Sequence, residues 1–248
     1  DVEVSGVVVM SNATACLRGV GVTVKTGGML TCAAAALVRE EVSRVSVVCE
    51  DFTLVSGGSV NVSGMGYKAG ATVVGAGANG YGGAHGGCGG SANWGNRLPY
   101  DSAENPTEPG APGASKNGGG IVRIEATGKV VLDGTVEANG ENATYYKSYQ
   151  LTTSQTSGGA GGTVYISGKT ICGTGSVLAE GGGGNSPEMP RFNTTSSSGV
   201  KGCDRPGGGG RIAVETGLTD GQFERLQAMG KIGRKAYDEE TFTNRFSG

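Results

Sequence analysis

The side chains that could carry out chemistry in this chain are few and scattered. The one histidine, His85, lies in a glycine run, and nothing near it in the sequence is rigid or acidic. A hydrolytic triad needs a histidine that rigid neighbours position, and a lone histidine cannot build a histidine-rich metal site. We therefore predict that His85 is not catalytic, and that the chain has no catalytic residue, metal site or cofactor.

Carboxylates offer a second route to chemistry, because enzymes that cleave polysaccharides cluster acids on one face. Here the acids are dispersed, with Glu125 and Asp133 on predicted strands. Glu125 and Glu215 occupy the same position in two sequence repeats, which is typical of an exposed ladder. The segment 75–80 fits Gly-x-Gly-x-x-Gly but leads into more glycine instead of a helix that could bind a phosphate. We predict that the chain is not an enzyme; a lyase or hydrolase acting through Glu125 or Asp133 is the third alternative.

The cysteine count points to an oxidising compartment. The chain has 6 cysteines and no Cys-x-x-Cys spacing, so disulfides of unknown pairing are favoured over a zinc site. The cysteines are Cys16, Cys32, Cys49, Cys88, Cys172 and Cys203.

Asn-x-Ser/Thr acceptors also favour a secreted protein. The predicted N-glycosylation sites are Asn12, Asn61, Asn142 and Asn193. No signal peptide is visible, and numbering that begins at Asp1 instead of Met is compatible with a processed mature end. We expect an extracellular or cell-surface protein that carries covalently attached glycans.

Composition excludes several partners. The formal net charge is -2 with both signs scattered, which gives no electrostatic footprint for nucleic acid. No apolar run approaches the ~20 residues that span a bilayer. Glycine contributes 50 of 248 residues without a Gly-X-Y period, so collagen is excluded.

The strongest pattern is a repeated phrase in which a glycine run precedes an alternating strand. It occurs at residues 118–125, 161–167 and 209–215, with a weaker copy at 57–63. One such unit cannot bury its apolar side alone, whereas stacked units can. Long polar insertions between matched strands favour a parallel β-solenoid over a sandwich. The predicted fold is therefore all-β, a parallel β-solenoid (β-helix) with glycine-rich excursions at its corners.

The organisation along the chain follows from this pattern. Residues 1–215 form the predicted solenoid domain, with a glycine-rich excursion at 64–120 and polar insertions at 141–155 and 183–205. The glycine runs could form extended three-fold helices that bond backbone to backbone, or they could be surface linkers.

Residues 216–248 read as a short amphipathic helix followed by a polar tail. This C-terminal part caps the last coil or forms an arm that docks on a neighbouring subunit. The apolar and aromatic residues assigned to the arm are Phe223, Leu226, Tyr237, Phe242 and Phe246.

Three phrases, at residues 118–124, 134–140 and 207–214, resemble the recurring units of glycine-rich extracellular surface and structural proteins of protists and bacteria. The loop 100–110 is similar to a proline-glutamate loop in the same proteins. The resemblance covers roughly residues 57–215 and implies a pectate-lyase-like parallel β-helix. It implies no catalytic residues.

The expected function is that of an extracellular structural glycoprotein, a self-assembling subunit of a filament or surface coat whose partner is a further copy of itself. The alternative is an adhesin or binding module that presents glycine-rich loops and aromatic residues to carbohydrate or ice. The aromatic residues considered for that role are Tyr81, Trp94, Tyr100, Tyr145 and Tyr146.

Overall fold

The computed structural model describes residues 1–77, 81–90, 98–143, 157–183, 205–219 and 225–227. Within these residues the chain is all-β apart from a single 3-10 turn, Arg39–Glu41. The strands are β1 (Val2–Val4), β2 (Val7–Met10), β3 (Leu17–Val24), β4 (Met29–Cys32), β5 (Val45–Leu54), β6 (Ser59–Asn61), β7 (Ile121–Ala126), β8 (Lys129–Leu132), β9 (Thr135–Glu137), β10 (Thr163–Cys172), β11 (Ser176–Leu178), β12 (Arg211–Thr219) and β13 (Arg225–Gln227).

The strands form two parallel sheets. The 7-stranded sheet has the order β1-β3-β5-β7-β10-β12, with β8 also pairing β5 and β10, and the 6-stranded sheet has the order β2-β4-β6-β9-β11-β13. Each strand of the second sheet follows a strand of the first in the chain, and we call such a consecutive pair a rank. The all-β, parallel part of the sequence prediction is therefore confirmed.

The three strong sequence repeats lie side by side in the 7-stranded sheet. Ile121 is opposite Thr163, and Thr163 is opposite Arg211. The weaker copy is not their equivalent, because its Ser59 lies in the other sheet opposite Thr135. Glycine runs precede strands of both sheets, so the run before residue 59 does not show which sheet this copy joins.

The core lies between the two sheets and is built from columns of apolar side chains. In the 6-stranded sheet, consecutive strands place Leu30, Val60, Val136 and Val177 opposite one another, and each has zero exposure. Alternating residues on a strand point to opposite faces, so every second residue joins such a column. Each rank thereby covers the apolar side chains of the ranks on either side.

The connection within a rank is short, whereas three of the connections from one rank to the next are long. Passage from the first sheet to the second takes a short turn, as at 25–28, 55–58 and 133–134. The three long excursions all run the other way, from β6 to β7, from β9 to β10 and from β11 to β12. The long connections between described strands therefore all run from the second sheet to the first.

The glycine runs of these excursions pack together into an ordered backbone assembly, here called the glycine bundle (residues 82–90, 110–113, 118–120, 138–141, 158–162, 181–183 and 205–210). Along 158–162, successive N–H groups bond to three different neighbours, and two of these neighbours recur after three residues. The bonds join Gly158 to Arg205 and Gly161 to Gly208, Gly159 to Glu141 and Gly162 to Ala138, and Ala160 to Ala111. A three-residue period is that of a polyproline-II-type helix. The run 158–162 is thus an ordered segment bonded backbone to backbone. The three-fold helix alternative, made for the excursion 64–120, stays a prediction.

The C-terminal helix prediction is wrong where the structure describes it. Residues Arg225–Gln227 form β13, whose Leu226 is opposite Val177 of β11. An isolated helix of this length is only marginally stable in water, whereas the open edge of β11 offers strand pairing, and this outweighs a weak amphipathic pattern. The strands also continue past residue 215, because β12 ends at Thr219.

The glycine bundle predicts a strong penalty for a single methyl group. A Cβ on Gly159 would overlap the carbonyl oxygen of Asn117, whereas a Cβ on Gly6 would meet nothing. Because overpacking against a fixed backbone shifts whole segments, we expect Gly159→Ala to lower the free energy of unfolding by about 3 kcal/mol or more. The matched control Gly6→Ala should change it by less than about 0.5 kcal/mol. Urea unfolding followed by circular dichroism measures both, and equal effects would contradict the tight packing.

Candidate functional site

The most unusual polar group in the described structure is the imidazole of His85, which lies inside the glycine bundle with zero exposure. Glycines on both sides of it let neighbouring backbones close over the ring. The expectation that nothing acidic or rigid surrounds His85 is wrong. Its acidic neighbour, Asp101, is brought in by the proline-containing loop and was hidden by its distance in sequence.

His85 contacts several segments of the chain, although its buried Nε2 has no hydrogen-bond partner in the structure. Its Nδ1 lies 2.8 Å from the carbonyl oxygen of Gly161, and its Nε2 lies 3.5 Å from Oδ2 of Asp101. The ring of Tyr100 packs on the imidazole with 4.9 Å between ring centroids. The Tyr100 N–H donates to the His85 carbonyl oxygen at 2.9 Å. The ring thus joins the glycine bundle to the loop that carries Tyr100 and Asp101.

Asp101 organises that loop, which we call the Asp101 loop (residues 98–109). Its backbone has a φ of 72°, and its carboxylate accepts N–H groups of Ser102, Thr107 and Glu108 at 2.8, 2.8 and 2.9 Å. Burial opposes ionisation of Asp101, but the nearby imidazole of His85 and the hydrogen bonds from these three backbone groups outweigh it and hold its pKa below the usual value. Asp101 is therefore a buried anion, with its side chain only 6% exposed.

Tyr100 closes the other side of the cluster. Its hydroxyl donates to the Pro109 carbonyl oxygen at 2.5 Å, and Arg211 Nε donates to the Tyr100 carbonyl oxygen at 2.9 Å. Burial is the largest cause that holds the Tyr100 pKa well above its usual value. A histidine, a carboxylate and a tyrosine therefore meet here, but the imidazole has no exposed surface from which to reach a substrate. The cluster therefore connects the glycine bundle to the loop that carries Tyr100 and Asp101.

The structure does not bring the other candidate carboxylates together. Glu125 binds Arg123 at 3.0 Å, while Asp133 accepts the N–H of Thr174 at 3.0 Å in a turn. Ser167 lies opposite both Glu125 and Glu215, so these two glutamates belong to one column, two ranks apart. This register confirms the ladder predicted from the repeats.

The aromatic residues proposed for binding or assembly are mostly outside the described residues. These are Trp94, Tyr145, Tyr146, Phe223, Tyr237, Phe242 and Phe246. Of the others, Tyr100 is committed to internal contacts, and Leu226 lies in β13.

The five described cysteines, Cys16, Cys32, Cys49, Cys88 and Cys172, are free thiols, so the predicted disulfides do not form among them. Their positions are set by the sheets: Cys32 and Cys49 lie on different strands with side chains in the core, where apolar neighbours surround them. Cys203 lies outside the described residues. A disulfide that includes Cys203 stays a prediction.

The predicted glycosylation sites differ in how their side chains are used. Asn61 is half-buried in β6, where its Nδ2 donates to Glu137 Oε2 at 2.8 Å and its Oδ1 accepts the Ser63 N–H at 2.9 Å. Asn12 and Asn142 are exposed and use only their Oδ1 atoms in hydrogen bonds, to Thr14 and Gly183. Asn193 lies outside the described residues.

No group of three or more His, Cys, Asp or Glu side chains in the described residues could hold a metal ion. No helix in the same part of the chain has the length and apolar character needed to cross a bilayer.

No protein-family model, curated protein or solved structure matches this chain. Its geometry must therefore carry the functional inference.

Thiol reactivity gives a direct test of the cysteine environments. Burial, the largest cause, raises the pKa of Cys32 and that of Cys49 to about 11, so roughly a thousandth of either thiol is ionised at pH 8. We expect iodoacetamide to modify the exposed Cys88 in the native protein at pH 8 and to leave Cys32 and Cys49 unmodified. Mass spectrometry of tryptic peptides measures this, with urea-unfolded protein as the control in which all three react. Equal native labelling of Cys32 and Cys88 would contradict the core assignment.

Glycan occupancy follows from side-chain access. In a secretory eukaryotic host we expect glycans on Asn12 and Asn142 and none on Asn61, because both polar atoms of Asn61 are bonded within the fold. Glycopeptide mass spectrometry reads the occupancy, and Asn12→Gln and Asn142→Gln should each remove one glycan. A fully occupied Asn61 in folded protein would show this assignment to be wrong.

Proposed function

We propose that this chain is a parallel β-solenoid that serves as an extracellular structural glycoprotein, and that its copies assemble end to end into a filament or surface coat. The alternation between two parallel sheets supports the solenoid, because each rank adds one strand to each sheet in the same register, except that β7 and β8 together extend the first sheet. Repeated units that bury one another's apolar faces form quasi-one-dimensional scaffolds. Secretion and glycosylation are supported by the accessible acceptors Asn12 and Asn142.

The observation that carries self-assembly is the apolar edge of the rank of β1 and β2. Val7, Val8 and Val9 of β2 are 61%, 37% and 55% exposed, and in the part of the chain that the structure describes β2 pairs with β4 alone. Val20, in the half of β3 that β1 leaves uncovered, is 63% exposed. Neither lysine nor proline occurs in residues 1–10, although these are the usual devices that protect a strand edge. This edge is suited to strand addition.

The register of Val7 strengthens this inference. Its column continues across the 6-stranded sheet through Met29, Ser59, Thr135 and Ser176. In the interior ranks this outward column is mostly hydroxylic, whereas the edge rank places a valine there. Apolar side chains at a position that is polar further along the sheet favour coverage by a partner.

The partner that fits is a second copy of this chain. A partner at this edge has to pair with β1 and with β2 at the same time, in the parallel orientation. It must therefore present two parallel strands at the spacing of a rank. The rank of β12 and β13 does so, since each of them is paired on one side only within the described residues. Contact between opposite ends of two copies is heterologous and does not close, which produces a filament.

Assembly should fail when charge is placed on the valine edge. We expect the wild-type chain to form filaments visible by negative-stain microscopy and the Val7→Lys/Val9→Lys variant to remain monomeric by analytical ultracentrifugation, because lysines on an edge strand oppose strand addition. Val74→Lys is the matched control, since Val74 is 70% exposed but lies outside the strands. A wild-type chain that stays monomeric at every concentration, pH and salt tested would refute self-assembly.

A further inference from the structure

We propose that the junction between two copies contains a slot one strand wide beside Leu17 of β3, and that residues 240–246 of the neighbouring copy fill this slot as a strand. This inference rests on the end-to-end assembly proposed above, and it names the segment that completes the junction.

The long strands of the 7-stranded sheet each have two halves. β7 is opposite residues 45–49 of β5, and β8 is opposite residues 52–54 of the same strand. We call the part of a long strand that β7 matches its front half and the part that β8 matches its rear half. In chain order, a rank therefore consists of a front half, a rear half and one strand of the 6-stranded sheet.

The rank of β1 and β2 has no front half among the described residues. β1 is opposite residues 22–24 in the rear half of β3, and residues 17–21 of β3 have no described strand beside them on that side. At the boundary, the carboxylate of Asp1 accepts the Gly21 N–H at 3.1 Å, so a side chain takes the place of a strand there. The front half of β3 therefore has an open edge.

The apolar column that reaches this edge is incompletely covered at both of its ends. Register aligns Leu17 of β3 with Val214 of β12, and the column between them holds Val47, Ile124 and Ile166. The three interior members have zero exposure, whereas the two end members are only partly buried. One further strand at either end would cover the end member.

End-to-end stacking places these two column ends on either side of a gap. When β12 and β13 of one copy extend β1 and β2 of the next, the front half of β12 meets no strand, because β1 is a rear half. Val214 then lies two strand spacings, roughly 10 Å, from Leu17 of the next copy, and one strand fits between them. Arg18 and Glu215, which are exposed and share the neighbouring register column, border this slot.

The direction of the chain identifies the segment that fills the slot. After a strand of the 6-stranded sheet, the described chain always returns to the front half of the next rank, as from β4 to β5 and from β9 to β10. β13 belongs to the 6-stranded sheet, so the residues after it lead to the front-half position beside β12. In the junction that position is the slot.

Residues 228–248 lie outside the described residues, and their length and sequence fit the slot. The connection from β4 to β5 takes residues 33–44, and a connection of the same length after β13 ends at residue 239. The following residues, 240–246, include two threonines and two phenylalanines, which are residue types that favour strands. Phe242 and Phe246 lie on the same face of such a strand.

The register of this strand follows from the column that it completes. The position between Leu17 and Val214 requires an apolar side chain, and Phe242 supplies it. Thr243 then lies between Arg18 and Glu215, where its short side chain leaves room for the two longer ones. The segment thereby covers the last rank of its own copy and the front half of β3 in the next.

Photo-crosslinking tests this contact directly. In the full chain, Phe242 is replaced by the photoreactive analogue p-benzoylphenylalanine, and assembled protein is irradiated, digested and analysed by mass spectrometry. We expect residue 242 to crosslink to the peptide that contains Leu17, and filaments mixed from unlabelled and ¹⁵N-labelled chains to give crosslinks that join the two labels. The same replacement in the Val7→Lys/Val9→Lys variant is the control, and it should lose this crosslink because that variant does not assemble.

Two substitutions in the tail test how much the slot contributes to assembly. Phe242→Glu places a charge in the slot, so we expect the subunit concentration needed for assembly to rise by about tenfold or more. Tyr237→Glu is the matched control, because it makes the same change before the strand segment and should leave that concentration unchanged. Sedimentation over a concentration series measures assembly, and circular dichroism confirms that both variants fold as the wild type does.

The outcomes distinguish this inference from self-assembly itself. Filaments in which residue 242 crosslinks only within its own copy would overturn the slot and leave end-to-end assembly in place. Assembly of Phe242→Glu at the wild-type concentration would do the same. A wild-type chain that never assembles would overturn both proposals.

Discussion

The structure depends on a single constraint, the pairing of buried backbone N–H and C=O groups between different segments. With no α-helix in the described residues, hydrogen bonds within a segment are not available to meet it. In the ranks, parallel strands on either side supply the partners. In the glycine bundle, three neighbours share the donors of a single segment, as along 158–162. Both arrangements require many copies of the same backbone shape, and the repeated sequence provides them.

The high glycine content follows from this constraint, because backbones that pair directly must lie close together. Backbones that bond directly to several neighbours approach so closely that a Cβ on Gly159 or Gly161 would overlap a neighbouring carbonyl oxygen. Small side chains such as Ala111 and Ala160 fit between them with zero exposure. His85 is the exception, a large polar ring in the same interior. Its Nδ1 lies at hydrogen-bonding distance from the Gly161 carbonyl oxygen, and its ring packs on that of Tyr100.

The distribution of polar and apolar side chains also bears on function. The strands use their inward side chains for columns such as that of Leu30 and Val60, and the buried polar side chains fasten loops to the bundle. Several apolar side chains stay exposed, and those of Val7 and Val9 lie together at a strand edge. That edge is the basis of the proposal that the chain is a scaffold that extends by strand addition.

The sequence by itself determined the all-β class, the copies that lie side by side and the corner from which insertions leave. These features are local, since alternation and glycine punctuation at 118–125, 161–167 and 209–215 report strand and turn directly. Tertiary structure decided the rest. It made 225–227 a strand by offering the edge of β11, moved the copy at 57–63 into the other sheet, and kept five thiols unpaired. It also brought Asp101 to His85, because contacts between distant segments depend on how excursions pack, which no local pattern encodes.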